Sequence, residues 1–341
     1  MANVERAVNA DRRVTRTIPR MMLAADVGGS KTLVGRFDGA RPRPRLLAVR
    51  TLRTLDFDGL SALLAASGLV DPGLAVIALG VAGPVVDGEV TMTNVPWQVR
   101  ARDVVAIAAG ARVRLLNDLE AMAYAVPVLV PDELHTLQAG RPQAGGNAAL
   151  IAAGTGLGEA VLHRVDGRLL PVPSEAGHAD FAARTDDELA LVRFLRDRHG
   201  RADIEHVISG IGLVHVAAFV HRSQTCRVAG TFADGDGPAR VSAAATAAAC
   251  DHCAAALRLF VEAYGAEAGN LALRAVATAG VYVGGGIAPK VLPWLEAGFC
   301  RTFVDKPPMT ALLRDVPVHV ILNDQAALVG AAVAGLDLLP S

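Results

Sequence analysis

The chain is short of lysine, aromatic residues, cysteine and long apolar runs, and each shortage narrows what it can do. Lysine occurs three times (Lys31, Lys290 and Lys306) against 30 arginines, and the 33 basic residues meet 34 acidic ones for a net charge of −1. That balance excludes a strongly basic nucleic-acid or acidic-membrane binder, and equally an acidic solvating tail. Aromatics are 4% of the 341 residues. The core therefore has to be Ala, Val and Leu, which suits helices packed closely on a sheet. No apolar run reaches the roughly 18 residues of a membrane-spanning helix. The longest candidate, 73–86, contains Pro84, so no membrane span is expected. The first 20 residues have arginines but no apolar stretch, and Glu5 and Asp11 interrupt them. They read as a mobile tail rather than a targeting segment, and the protein as cytoplasmic.

Four cysteines in a chain of this length do not make a disulfide framework. The only close pair, Cys250 and Cys253, lies in an Ala-rich helical stretch with no second pair. Structural zinc needs four ligands in closed geometry, so two packed thiols in a reducing cytosol are the expectation.

Hydrophobic residues are 52% and charged ones 20%, enough for a large core. The length suggests about two domains. Residues 21–27 read as a strand, 33–39 as a second that ends in an Asp-Gly turn signal, and 45–53 as a third. A helix is expected at about 58–67, strands at 74–81 and 112–116, and a helix over 118–130. The second half opens the same way: an apolar run at 148–155 meets a glycine cluster, and 159–167 again ends in Asp-Gly. Laying Gly28 on Gly156 aligns GGSKTLVGRFDG with GLGEAVLHRVDG at an offset of 128, a weak internal duplication. A helix-rich region follows over 185–274, then strands at 276–287 and 316–322 and a terminal helix of small residues. This alternation predicts two α/β domains with a cleft between them. Ligands in such folds bind where strand C-termini open onto the cleft.

Three glycine turns follow apolar strands: Gly28-Gly29-Ser30, Gly154-Thr155-Gly156 and Gly284-Gly285-Gly286. Exposed turn amides suit phosphate oxygens, and glycine lets the backbone come close. The familiar phosphate and dinucleotide fingerprints both fail, because GGSKT lacks the P-loop spacing and Glu159 stands at the last glycine position of GTGLGE. Asp26 ends the first strand beside the first turn, as a turn cap or as a carboxylate holding Mg²⁺ through water. Asn117-Asp118 opens a helix, and Asp118 reads either as its N-cap or as a general base at the cleft. In SEAGHADF, Glu175 and His178 are three apart around a glycine, where both can face one polyhydroxyl ligand. Glu205 by itself reads as a solvated helix-end charge.

Taken in order, DVGGSKT, GPVVDGEVTMTNVPW, LLNDLEAMAYAVP, AAGTGLGEA, PSEAGHADFA, IEHVISGIGLV and VYVGGGIAPK resemble the bacterial glucokinases of the proteobacterial type, within the sugar kinases of actin-like ATPase fold. The resemblance runs from about residue 23 to about 336. It implies phosphorylation of the glucose 6-hydroxyl by ATP with Mg²⁺, Asp118 as catalytic base, and glucose held by Asn117, Glu175, His178 and Glu205. The first two glycine turns, with Lys31, would embrace the phosphates and the third would lie against adenosine. A homodimer acting on small molecules is also implied, with no nucleic acid and no membrane as partner. The expected division is a small domain, 21–128 plus 319–341, and a large one, 129–318. Small-residue helices at 121–125 and 327–335 are expected to cross closely where the domains meet.

Three departures stand out. Ser30 and Lys31 replace the usual Thr and Asn of the first turn. Ala176 replaces a glycine and would be strained if that position needed positive φ. The related repressor-and-kinase group often called ROK carries a Cys-rich zinc motif after its Gly-His, and here the following residues hold no cysteine, which sets the chain apart from that subgroup. Other readings stay open: a kinase of another hexose or amino sugar, a sugar-sensing regulator, or an actin-like ATPase. A regulator would need a DNA-binding module ahead of a fold that only about 20 residues precede.

Overall fold

Strands Met21–Val27 (β1) and Ala148–Ala153 (β10) are almost wholly buried, the mark of a central strand covered on both faces. Each stands at the middle of its own sheet in this computed structural model, which describes residues 21–339 apart from 93–94, 109, 224–225, 227–229 and 231–234. The expected N-terminal tail lies outside the described residues.

The first sheet runs β3-β2-β1-β4-β8. Lys31–Phe37 (β2) and Leu46–Arg53 (β3) are antiparallel additions on one side of β1; Leu74–Val81 (β4) and Arg112–Asn117 (β8) are parallel on the other. A small separate sheet holds Val85–Val86 (β5), Glu89–Thr91 (β6) and Gln98–Arg100 (β7). The second large sheet repeats the first. Leu157–Val165 (β11) is antiparallel to β10 and Arg168–Ser174 (β12) is antiparallel to β11, Gly280–Gly284 (β13) and Val318–Ile321 (β14) are parallel, and Leu134–Gln138 (β9) is added at the far edge. The expected domain boundary at 319 therefore cuts β14, and the chain leaves the second sheet only after Ile321.

The helices are Leu60–Ala66 (α1), Ala101–Ile107 (α2), Asp118–Ala125 (α3), Asp186–His199 (α4), Gly210–Val220 (α5), Gly237–Thr246 (α6), Asp251–Ala275 (α7), Leu292–Phe303 (α8), Thr310–Asp315 (α9) and Ala326–Gly335 (α10). Helix α3 joins the halves. Its Ala121 and Tyr124 pack with Met22, Val76 and Leu328 of the first sheet and α10. Its Leu119 and Ala123 pack on Leu150 and Leu162 of the second sheet. The crossing of α3 with α10 is backbone-close, as the small residues of both predict. The few aromatics are spent inside, with Phe37, Phe260, Tyr264, Phe299 and Phe303 among the largest fully buried side chains. Among the described residues no single helix is long and apolar enough to cross a membrane.

Several expectations need adjusting. The duplication is real in topology but its offset differs: β1 and β10 end at Val27 and Ala153, so Gly154, not Gly156, stands where Gly28 does. The Arg-x-Asp-Gly match misled because β11 is two residues longer than β2. Of the two Asp-Gly signals, Asp166-Gly167 makes a two-residue hairpin with both φ positive, 47° and 77°, as a type I′ turn requires. Asp38-Gly39 opens a longer loop holding Pro42 and Pro44, which have no N–H to pair. The helix expected over 118–130 stops at Ala125 and gives way to a 3₁₀ turn, Val126–Val128, containing Pro127. The strand expected over 276–287 forms only at Gly280–Gly284, because Val276 caps α7 in the left-handed region with φ 47°. The two helical cysteines are not alone either, since the fold sets Cys226 and His221 beside Cys250 and Cys253.

Candidate active site

The C-terminal ends of β1, β4 and β8 in one half and of β10 and β13 in the other open onto a shared cleft of about 550 Å³. Its walls include Asp26, Gly28, Gly29, Asn117, Asp118, Gly154, Thr155, Gly156, Glu175, His178, Glu205 and Gly285. Most of the residues singled out from the sequence therefore converge on one space. Ser30 and Lys31 are exposed and are not part of this wall, nor are Gly284 and Gly286.

At the Asn117-Asp118 junction the helix cap is the asparagine. Asn117, not Asp118, caps α3: its Oδ1 accepts the N–H of Leu119 at 2.9 Å and of Glu120 at 3.3 Å. Its amide nitrogen donates to the Gly83 carbonyl at 3.1 Å. Asp118 is the first helical residue, and its Oδ1 accepts the Leu119 N–H at 2.9 Å. Burial holds its carboxyl above the usual range, and the nearby charge of Glu175 adds to this. Asp26, at the edge of β1, is pushed up to about 6, first by burial and then by the charge of Asp118, with Lys31 pulling the other way. Two carboxylates in one desolvated space disfavour each other's ionisation.

The glycine turns are held from below. In the first, the Gly28 N–H donates to the Lys31 carbonyl at 3.1 Å, and a β-carbon on Gly28 would lie 2.9 Å from that oxygen. Buried Thr54 fastens it: the Thr54 hydroxyl donates to the Gly28 carbonyl at 2.7 Å and its N–H to the Ser30 carbonyl at 3.1 Å. In the second turn the Gly210 N–H, at the start of α5, donates to the Gly154 carbonyl at 2.8 Å. Tyr264 of α7 receives the Ala153 N–H on its hydroxyl at 3.1 Å. In the third, Gly285 has φ 83° and lies so near Ala153 that a β-carbon would stand 2.2 Å from its carbonyl oxygen, so only glycine fits.

The loop after β12 brings the remaining polar groups. Glu175 and His178 are exposed to the cleft. Gly177 between them packs against Leu157, where a β-carbon would be 2.3 Å from the carbonyl oxygen. Ala176 is not strained, because it begins a 3₁₀ turn, Ala176–His178, and does not have positive φ. Glu205 is no solvated helix end: its Oε2 accepts the Leu157 N–H at 2.8 Å, so it is tied to the backbone just after the second glycine turn.

Sequence reasoning missed Thr54, Tyr264 and Asp203. Asp203 is buried, pairs with His206 at 2.9 Å, and lies 3.7 Å from Nδ1 of His178. That is beyond a hydrogen bond but close enough to bias the ring electrostatically. The spacing Asp203-x-Glu205 was the only available signal.

Residues 23–337 match the family model described as Glucokinase. A glucokinase of Nostoc punctiforme is 34% identical, over 93% of this chain and 99% of its own. The crystal structure of a glucokinase from an Antarctic psychrotroph superposes with a TM-score of 0.79 at 29% identity, covering 93% of this chain and 99% of that one. A ROK family glucokinase from Streptomyces griseus, solved in complex with glucose and AMPPNP, has a TM-score of 0.62 at 21% identity, over 93% and 99% of the two chains. The fold is the two-domain actin-like ATPase fold of these sugar kinases.

Proposed function

The chain belongs to the glucokinase family and is an enzyme, an ATP-dependent kinase that phosphorylates glucose; we propose that the cleft between its two sheets is the active centre and Asp118 the general base. What supports this most is the state of Asp118. Asn117 takes over the capping of α3, and Asp118 is left on the cleft wall with a raised proton affinity and, among the described residues, no ion-pair partner. A carboxylate in that state is suited to accept a hydroxyl proton as phosphoryl transfer begins.

In this reading glucose sits against Asn117, Glu175, His178 and Glu205, with its 6-hydroxyl towards Asp118. The ATP phosphates lie between the turns at Gly28-Gly29 and Gly154-Thr155-Gly156, with Ser30 and Lys31 at the rim, and Gly284–Gly286 borders adenosine. Thr54, Tyr264 and Glu205 keep the turn amides aimed at the phosphates, so little reorganisation accompanies the reaction. A smaller body built on the first sheet and α10 closes on the larger one and excludes water from the transfer.

The donor set fits Mg²⁺. Asp26 offers hard carboxylate oxygens, and the charge of Asp118 beside it favours a cation there. When bound with ATP, the ion would neutralise charge on the phosphate oxygens. Asp26 is the residue proposed to hold it through water. The enzyme is read further as a cytoplasmic homodimer.

The test is sugar phosphorylation from ATP and Mg²⁺ with glucose, fructose, mannose, N-acetylglucosamine and N-acetylmannosamine in parallel, in wild type and Asp118→Asn. Glucose is expected to be the efficient substrate. The variant should bind glucose and lose about 10²–10⁴ in turnover. Near-wild-type turnover in the variant would remove Asp118 from the role of base.

A further inference from the structure

Far from the cleft, four ligand-type side chains point at one spot. His221 follows α5, Cys226 lies in a short backbone bridge with Gly230, Cys250 is the N-cap of α7 and Cys253 sits in its first turn. The Cys226 sulfur is 3.7 Å from that of Cys250 and 3.6 Å from that of Cys253. Nε2 of His221 is 3.5 Å from the Cys250 sulfur and 4.0 Å from the Cys253 sulfur. All four ligand atoms lie within 4.8 Å of one another. Disulfides are ruled out by these distances, since a bond needs about 2.05 Å between sulfurs.

These are the edges of a coordination tetrahedron. With Zn–S of about 2.3 Å and Zn–N of about 2.0–2.1 Å, a regular tetrahedron has S–S edges of about 3.8 Å and S–N edges of about 3.5 Å. Thiols gathered only by apolar packing have no reason to include an aimed imidazole nitrogen. The imidazole here is also oriented from behind. Nδ1 of His221 is 2.8 Å from the Ala217 carbonyl oxygen. A carbonyl can only accept, so Nδ1 carries the proton and Nε2 presents its lone pair to the sulfurs, the outer-sphere arrangement of histidine ligands. The spacing His221-x4-Cys226 with Cys250-x2-Cys253 resembles zinc-site spacing once the two pairs are brought together.

We propose that His221, Cys226, Cys250 and Cys253 form a closed structural zinc site. On binding, Zn²⁺ takes three thiolates and one neutral imidazole, and three thiol protons pass to solvent. The resulting single negative charge sits at the N-terminus of the 25-residue helix α7, whose macrodipole favours it. Four protein ligands leave no open position for substrate, so the role is structural. The ion joins the end of α5 to the start of α7. Helix α5 begins on the Gly154 carbonyl and is about 16 Å long at 1.5 Å per residue, so the ion secures the far end of the helix that seats the second glycine turn. Cys300, the remaining cysteine, lies outside the cluster.

The deciding experiment is elemental analysis of the full-length chain, purified without an affinity tag in metal-depleted buffer, with thiol titration of the native protein in parallel. Close to one zinc per chain is expected, with three thiols shielded until a strong chelator or mercurial is added. Cobalt added to stripped protein should give the intense visible bands of tetrahedral thiolate-bound Co²⁺. The Cys250→Ser/Cys253→Ser variant should lose both zinc and these bands, while Cys300→Ser keeps them. Wild-type protein that is folded by circular dichroism yet holds no zinc, gives no cobalt bands and exposes the clustered thiols would overturn the proposal. So would stoichiometric iron in zinc's place. Both readouts are made on the wild type, so a variant that fails to fold leaves the decision intact.

Discussion

Gly330 and Ala121 meet backbone to backbone: a β-carbon on Gly330 would stand 1.8 Å from the Ala121 carbonyl oxygen and 2.8 Å from the Ala125 nitrogen. Neither neighbour can yield, because both belong to α3, which is packed on both sheets. Gly330→Ala should therefore force α10 away from α3 and destabilise the protein by about 1–3 kcal/mol or more. Calorimetry would register this as a melting temperature several degrees lower. Gly286→Ala, where a β-carbon meets nothing within 4 Å, serves as the tolerated control. An unshifted transition in Gly330→Ala would show that the two helices separate freely.

Asp203 should act on glucose through His178. Asp203→Asn removes the charge 3.7 Å from Nδ1 of His178 and keeps the shape. The expected result is a KM for glucose raised severalfold, with kcat and the KM for ATP little changed. A fall in kcat alone would place Asp203 elsewhere in the mechanism.

Glu205 has a double duty that two substitutions can separate. Glu205→Gln retains an oxygen for the Leu157 N–H and should mainly weaken glucose binding. Glu205→Ala leaves that amide unbonded beside the second glycine turn, and should raise KM for glucose and for ATP, each by roughly tenfold, or about 1.4 kcal/mol. Steady-state kinetics with each substrate varied in turn would tell the two effects apart.

The pH dependence of activity follows from Asp118. A base must be deprotonated to work, and burial holds this carboxyl above its usual range. On acidification, kcat/KM should thus begin to fall at a pH above that of an ordinary aspartate. A profile flat down to the ordinary carboxylate range would mean that some other group takes the proton.

Stability has its own pH signature, centred on Glu159. This β11 side chain is fully buried, has no hydrogen-bond partner, and sees Arg274 only at 3.5 Å. Burial, and then the charge of Glu267, push its carboxyl up to about 8 from 4.5. The folded chain thus holds a proton that the unfolded chain releases. The associated stabilisation is complete below the unfolded value of 4.5 and is lost as pH rises through about 8. Wild-type melting temperature should decline across that window, and Glu159→Gln should flatten the decline and be the more stable protein on its alkaline side. Equal slopes for the two proteins would remove Glu159 as the source.

The repeated strand–glycine-turn–strand units were readable because buried central strands and glycine punctuation are local properties of the sequence. The cleft residues were readable only as motifs in order, since nothing local says that Asp118 and Glu175 face one another. Capping stayed open at one junction: Asn and Asp are almost equally good caps, and the structure shows Asn117 as the cap, held also by the Gly83 carbonyl. Thr54 and Tyr264 were invisible because their value comes from backbone groups distant in the chain, and Asp203 because it acts on the ring of His178, which only the fold brings to it. Cys226 and His221 escaped for the same reason, since a four-ligand constellation assembled from two helix ends has no continuous sequence pattern.

The two sheets share one strand order, yet the chain treats equivalent crossings very differently. Between β3 and β4 it inserts only 54–73; between β12 and β13 it inserts 175–279. Glu175, His178, Asp203 and Glu205 all fall in that longer excursion, and so do the four residues of the cysteine–histidine cluster. The glycine turns, by contrast, sit on the duplicated scaffold itself. The residues proposed to hold the sugar, apart from Asn117, share one inserted stretch with Gly210 and Tyr264, which together with Glu205 seat the second glycine turn. A descendant that rewrote this insertion to exchange its sugar would have to keep those supports, so acceptor choice and the seat of the second turn are bound to evolve together.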